Sequence, residues 1–266
     1  MFFTRLISGI ILLLMAFFFV GSGGAALFGI SVLISLIGMF ELYRALKIEK
    51  KWISYIGYAA ALIYYLLIYF NAELYLALLI ISTLLILMTV YVFSFPRFKT
   101  EEISLVFFGM FYVAVLFSYL FRTRMIADGR YLVWLIFLSS WGSDTCAYAV
   151  GMLIGKHKIA PKLSPKKSIE GCLGGVLGAA ALGFIFAAVF RMHMQEVENP
   201  QLVCALASAI GSVISQIGDF AASAIKRNHE IKDYGNLIPG HGGILDRFDS
   251  MLFTAPAVFF ALKFLI

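Results

Sequence analysis

Apolar residues in this chain do not alternate with polar ones; they run together in long stretches divided by short polar breaks. Nine such stretches lie near residues 4–20, 25–46, 52–70, 73–95, 103–121, 131–155, 170–190, 202–225 and 250–266. About 20 mostly apolar residues let a helix cross the hydrocarbon of a bilayer. None shows the alternation of a membrane barrel, and in lipid each backbone N–H and C=O must find its partner inside its own element, which leaves helices. The pattern predicts an all-α polytopic membrane protein of about nine transmembrane helices. We read it as a single integral membrane domain over 1–266, softly divided into N-terminal helices (1–130) and C-terminal helices (131–266) that hold the candidate chemistry. The first stretch, with Arg5 ahead of Leu6 to Val20 and a Gly-Ser-rich tail, has the form of a signal peptide. Eight further stretches make a retained first helix the simpler expectation.

Composition agrees with the pattern. Of 266 residues, 62% are hydrophobic and 14% charged, far from the roughly 25% charged usage of soluble domains. Basic residues favour the cytoplasmic side, and with a cytoplasmic N-terminus 16 of the 21 Lys and Arg fall there. Arg5, the Arg44 to Lys51 group, Arg97, Lys99, Lys156, Lys158, Lys162, Lys166, Lys167, Lys226, Arg227, Lys232 and Arg247 make up that side. The opposite side keeps Arg122, Arg124, Arg130, Arg191 and Lys263; its Arg122 to Arg130 loop is the weakest point of the scheme. The net charge of +6 sits at segment ends rather than on a continuous face with interleaved aromatics, so anionic lipid is the expected partner and nucleic acid is excluded. This orientation places the chemistry of the C-terminal half at the cytoplasmic face of a cell inner membrane.

That chemistry is concentrated in the polar break from Ser223 to Asp249. It holds Lys226-Arg227, Lys232-Asp233, the turn Pro239-Gly240-His241-Gly242-Gly243 and then Asp246-Arg247-Phe248-Asp249. Ahead of it, Ser212, Ser215, Gln216, Asp219, Ser223, Lys226 and Arg227 recur at three- and four-residue steps, one face of a helix. Asp219 and Asp144 lie inside apolar stretches, where a lone charge costs at least about 2.5–3.5 kcal/mol, so each is expected to face a polar interior. Ser140, Ser143 and Tyr148 share Asp144's face by spacing; a packing role for Asp144 remains open. Asp246 and Asp249 are three apart and would share the first turn of a helix beginning at about Leu245. Three carboxylates with few cations among them call for a metal, and hard oxygens without His or Cys suit Mg²⁺, which fills its remaining sites with water and substrate phosphate. The metal candidates are Asp219, Asp246, Asp249 and Asp144, with room for a second cation. Glycine N–H groups of the His-Gly-Gly turn could cradle a phosphate or merely turn the chain; His241 is a phosphate donor or an acid–base candidate. Cys146, Cys172 and Cys204 lack any paired spacing and read as small core residues.

In order and spacing, the Ser223 to Asp249 string is similar to the signature of the phosphatidate cytidylyltransferases, the CDP-diacylglycerol synthases. The preceding region resembles the same family, through Asp144-x-x-Ala147-Tyr148-x-x-Gly151-x-x-x-Gly155-Lys156 and Leu163-Ser-Pro-Lys-Lys-Ser-Ile-Glu-Gly171. The N-terminal half resembles it only in being apolar helices. The resemblance implies transfer of the cytidylyl group of CTP to phosphatidate, giving CDP-diacylglycerol and pyrophosphate. It implies catalytic roles for Asp219, Asp246, Lys226 and Arg227, and substrate contacts from Lys166, Lys167, Ser168, Ser223, His241, Gly242, Gly243 and Arg247. Whether Lys166, Lys167 and Ser168 meet CTP phosphates or the lipid head group stays open, and a homodimer is compatible with the reading.

Gly155-Lys156 after Gly151 does not match a phosphate-binding P-loop. Gly171, Gly174, Gly175 and Gly178 are expected to pack helices closely. Two rivals are weaker: a cation-coupled transporter, which predicts duplication between halves that is not found, and a CTP-dependent lipid-alcohol kinase, which would release CDP.

Overall fold

The computed structural model describes residues 2–161 and 163–266. Lys162 and the side chains of residues 2–5, hence two of the basic residues counted above, lie outside the described residues. The helices are α1 (Phe2–Ser22), α2 (Gly24–Ala45), α3 (Ser54–Tyr69), α4 (Leu76–Phe93), α5 (Thr100–Gly109), α6 (Leu116–Met125), α7 (Gly129–Leu132), α8 (Trp134–Phe137), α9 (Ser143–Ile154), α10 (Ile169–Phe190), α11 (Pro200–Asn228) and α12 (Leu245–Leu265). Two strands, β1 (Lys158–Ala160) and β2 (Ser164–Ser168), form an antiparallel hairpin. The fold is an all-α membrane architecture, as the hydropathy pattern predicts.

Among the described residues, six helices are long and apolar enough to cross a membrane, and Leu6–Ser22 and Ser54–Tyr69 are shorter apolar helices. One of the six is the continuous stretch Thr100–Met125, made of α5, a π-helical segment at Met110–Val115 and α6, and the expected span over 131–155 is the exception. It is broken into α7, α8, a π-helical turn at Leu138–Gly142, and α9. The basic loop expected after it carries the β1–β2 hairpin.

The chain divides into two compact units, Met1–Ser118 with Ile231–Arg247, and Tyr119–Glu230 with Phe248–Ile266. The polar Ile231–Arg247 excursion thus belongs with the N-terminal helices. In the first unit, polar groups on apolar helices find partners within the core. Fully buried Tyr43 donates from Oη to the Val106 carbonyl at 2.7 Å, and Tyr65 Oη bonds Ser35 Oγ at 2.7 Å. Such internal pairing is what a membrane core demands of a hydroxyl.

In the second unit, α10 packs between α9 and α11, and small residues set the separation. A Cβ built on Gly174 would lie 2.5 Å from Val150, and one on Gly178 would lie 2.5 Å from Cys146. The glycines at four-residue steps are therefore a packing seam. Serine pairs cross this unit: Ser143 Oγ to Ser212 Oγ at 2.6 Å, and Ser140 Oγ to Ser250 Oγ at 2.8 Å. α11 begins with Pro200 at its first position, where a missing N–H is harmless. It runs through Lys226 and Arg227 in its last turn.

Candidate active site

A cavity of about 470 Å³ in the second unit is lined by Asp144, Tyr148, Gly151, Met152, Lys166, Lys167, Ser168, Gln216 and Asp219, among others. Glycines create it by letting α9 and α10 approach: a Cβ on Gly171 would sit 2.8 Å from the Ala147 carbonyl oxygen. The hairpin delivers the lysines. Its base is clamped by Glu170, whose carboxylate accepts from the backbone N–H of Lys156 at 3.1 Å and of His157 at 3.2 Å, with His157 Nδ1 at 2.6 Å. Ser168 caps α10, its Oγ accepting from the Gly171 N–H at 3.2 Å. This candidate substrate residue thus lines the cavity while fixing the start of a helix.

Lys167 Nζ pairs with Asp219 Oδ2, each side chain 27% exposed, and lies 4.7 Å from the centroid of the Phe220 ring. Gln216 donates from Nε2 to the Cys172 carbonyl at 3.0 Å. The face expected to be shared by Asp144, Ser140, Ser143 and Tyr148 is split. Asp144 is exposed on the cavity wall, as is Tyr148, whereas Ser140 and Ser143 turn into the protein core. The π-helical turn at Leu138–Gly142 explains the split for Ser140: an extra residue per turn breaks the i, i+4 register on which the shared-face expectation rested.

Also in the second unit, Lys226 Nζ lies 3.5 Å from Asp249 Oδ2, both side chains nearly buried at 13% and 11% exposure. Asp249 Oδ1 accepts from the Ser250 N–H at 2.8 Å. Ser223 is half-buried and Arg227 exposed on the same helix. The expectation of few cations among the carboxylates is corrected: Asp219 has Lys167 and Asp249 has Lys226.

The first unit holds the rest of the sequence-predicted site. α12 starts at Leu245, so Asp246 and Asp249 do lie in its first two turns. Asp246 is 6% exposed, and its Oδ2 accepts from the N–H groups of Tyr234 at 2.8 Å, Gly243 at 2.9 Å and Gly235 at 3.4 Å. One oxygen thereby clasps both ends of the excursion. Between them, Gly240 (φ 76°) and Gly242 (φ 84°) adopt the left-handed backbone that favours glycine. They close a turn in which the Ile238 N–H meets the Gly242 carbonyl at 2.8 Å.

The phosphate-nest expectation for this turn is revised. The Gly243 N–H is committed to Asp246, and the next two N–H groups, of Ile244 and Leu245, donate to Glu41 Oε1 at 3.1 Å and Oε2 at 2.8 Å. Protein carboxylates already satisfy these donors. What faces the neighbouring cavity of about 550 Å³ is Lys232, Asp233, Asn236, His241, Gly242 and Arg247, with other backbone around them. Arg247 Nε is buried with no hydrogen-bond partner, a donor matched to an acceptor that the protein itself does not supply.

Sequence reasoning missed Glu41, only 3% exposed. It stands alone as a carboxylate in α2, which was itself a signal: a charge in an apolar stretch needs a partner. The partner's distance in sequence, 203 and 204 positions, concealed what it does. Gly243 and Gly235 make room for it, since a Cβ on Gly243 would fall 2.5 Å from Glu41 Cδ and one on Gly235 2.7 Å from it.

Among the described residues no three His, Cys, Asp or Glu are gathered to hold a metal ion. Two hard carboxylates, Asp144 and Asp219, line one cavity, a donor type that suits a cation drawing its other ligands from water and phosphate, as Mg²⁺ does.

A model of the cytidylyltransferase family matches residues 3–265. The chain is 32% identical over 241 residues to a phosphatidate cytidylyltransferase of Bacillus subtilis, covering 87% of this chain and 88% of that protein. It is 34% identical over 256 residues to one of Staphylococcus epidermidis, covering 95% and 96%, and 34% identical over 259 residues to one of Staphylococcus haemolyticus, also covering 95% and 96%. With a family match that spans nearly the whole chain, including the residues that line both cavities, and with relatives 32–34% identical over most of their length, this chain belongs to the cytidylyltransferase family.

Proposed function

We propose that this protein transfers the cytidylyl group of CTP to phosphatidate, leaving CDP-diacylglycerol in the membrane and releasing pyrophosphate. The observation that carries this reading is the second unit's cavity, lined by Lys166, Lys167, Asp144 and Asp219 among apolar helices, with Lys167 paired to Asp219. A phosphate-bearing lipid needs cations for its head group and an apolar wall beside them. Exposed Tyr148 and Met152 supply that wall.

In the reaction, an oxygen of the lipid phosphate forms a bond to the α-phosphorus of CTP as the bond to pyrophosphate breaks. A phosphate monoester is already anionic near neutral pH, its second pKa being about 6. The nucleophile therefore needs charge screening more than a base, and no general base is assigned. Lys166 and Lys167 neutralise phosphate oxygens and hold them in place. Lys226, Arg227, Arg247 and His241 are the further groups proposed for phosphate contact. Positioned cations of this kind provide most of the catalysis in phosphoryl-type transfer.

Mg²⁺, and a second cation if one binds, would be held by Asp219 with Asp144, and would supply charge neutralisation between the phosphates. Asp246 and Asp249 remain metal candidates whose carboxylates also serve protein partners.

The finer topology belongs to the same reading. Six long apolar helices, two shorter ones and the interrupted Gly129–Ile154 region support nine crossings. The distribution of Lys and Arg supports a cytoplasmic N-terminus and an active site facing the cytoplasm of the cell membrane. A homodimer is compatible with it.

The deciding assay uses the full chain in detergent with CTP labelled at the α-phosphate, phosphatidate and Mg²⁺. Label is expected in the chloroform phase, with pyrophosphate released, and is abolished by chelation and in Asp219→Ala. Release of CDP with no label in lipid would replace this reading with a CTP-dependent kinase.

A further inference from the structure

Lys167 stands where the strand pairing that would place it is irregular. In the β1–β2 hairpin, Lys158 pairs with Ser168 and Ala160 with Ser164, so Ile159 alone faces Pro165, Lys166 and Lys167. Pro165 has no N–H to give to a ladder, and extra residues on one strand re-aim its side chains. The regular pair nearest to Lys167 is Lys158 with Ser168, at the base of the hairpin. Glu170 holds that base. Its Oε2 takes the N–H groups of Lys156 and His157, its Oε1 meets His157 Nδ1, and the neighbouring Ile169 N–H donates to the His157 carbonyl at 2.8 Å. The two residues before β1 are thereby tied to the first turn of α10, the helix into which β2 runs. We infer that Glu170 is a positioning residue for Lys167: its carboxylate fixes the hairpin register that seats Lys167 Nζ on Asp219 in the cavity.

Glu170 acts from outside the cavity, which Ser168 and Gly171 on either side of it line. The base that it closes is tightly packed: a Cβ on Gly155 would lie 2.5 Å from Ser168 Oγ, and one on Gly171 3.2 Å from Gly151 Cα. A carboxylate suits this place twice over. Negative charge is favoured in the first turn of a helix, and with two acceptor oxygens one can take both backbone N–H groups while the other is left for the imidazole. That Lys167 then holds a substrate phosphate rests on the function proposed above; its seating on Asp219 does not.

The test uses the full-length protein in lipid nanodiscs and a water-soluble carbodiimide, which joins an amine and a carboxylate in contact as an amide and takes up the water released, becoming a urea. Peptide mass spectrometry follows two links: Lys167–Asp219, and Lys51–Glu102, an ion pair of the first unit that serves as the control. The wild type is expected to form both. Glu170→Ala is expected to lower the Lys167–Asp219 link and kcat/KM for CTP about tenfold each, the worth of a hydrogen bond to a charged group, and to leave the control link unchanged. Glu170→Gln, which keeps an acceptor oxygen for the two N–H groups, is expected to fall between. A wild type without the Lys167–Asp219 link, or a link undiminished in Glu170→Ala, overturns the inference. Loss of both links from both variants also overturns it, since Glu170 would then support the fold at large. A diminished link with unchanged kcat/KM overturns the positioning role. A wild type that transfers no label to lipid overturns the proposed function instead, while the cross-link result still stands.

Discussion

Asp246 shows how one side chain governs a loop. Three backbone N–H groups from two ends of the excursion converge on its Oδ2. Hydrogen bonds to a charged group contribute about 1.5–3 kcal/mol each, so the clasp outweighs any single contact inside the turn. Asp246→Asn keeps the shape but removes the charge and places an amide donor among donors. Amide hydrogen exchange across Ile231–Arg247 is expected to accelerate on the order of a hundredfold, from a loss of about 3 kcal/mol. Exchange that is unchanged in the variant would show that the loop is held by other means. The sequence announced Asp246 as a metal or catalytic residue; its structural duty was not legible, because it depends on where Tyr234 and Gly235 return. Glu41 was illegible for the same reason.

At the scale of elements, the α9–α10 seam was readable from glycine spacing alone, since four-residue steps place small residues on one face. Gly174→Leu is expected to force the helices apart, because a Cβ there already meets Val150 at 2.5 Å. Overpacking of this kind costs about 1–3 kcal/mol, read as a lower melting temperature of the detergent-solubilised protein. Gly29 in α2 is the control, with nothing within 4 Å of a built Cβ. Gly29→Ala is expected to melt at or above the wild type, helix interiors favouring Ala by about 0.5–1 kcal/mol. A Gly174 variant that melts like the control would contradict the seam. The π-helical turn and the hairpin were not legible. Hydropathy reports how apolar a segment is, whereas the π-turn and strand pairing depend on local hydrogen-bond registers that leave no periodic trace.

For the molecule as a whole, hydropathy was enough to announce a helical membrane protein, and the excursion's membership of the first unit was not, because grouping by sequence follows the chain and grouping in space does not. The proposed orientation gives a direct expectation. Single cysteines introduced at Lys50 and Lys166, in a background with Cys146, Cys172 and Cys204 replaced, are expected to react with a membrane-impermeant maleimide from the cytoplasmic side. One introduced at Arg191 is expected to react from the opposite side. Labelling of all three from one side would refute the scheme.

The Lys167–Asp219 ion pair carries a consequence for the order in which the reactants arrive. A carboxylate already matched by an ammonium group offers a stray divalent cation little, since entry means expelling the lysine with nothing to receive it. A nucleotide that arrives with its cation brings phosphate oxygens to which Lys167 can transfer, and the carboxylate is released at the same moment. On the proposal that Asp219 holds the cation, metal and nucleotide are expected to bind as one partner rather than in succession. Titration of Mn²⁺ into substrate-free protein should show weak binding that tightens at least about tenfold with CTP present, an exchange of roughly 1.4 kcal/mol. In Lys167→Met the nucleotide should no longer be needed to admit the metal, making the lysine a gatekeeper against idle cations.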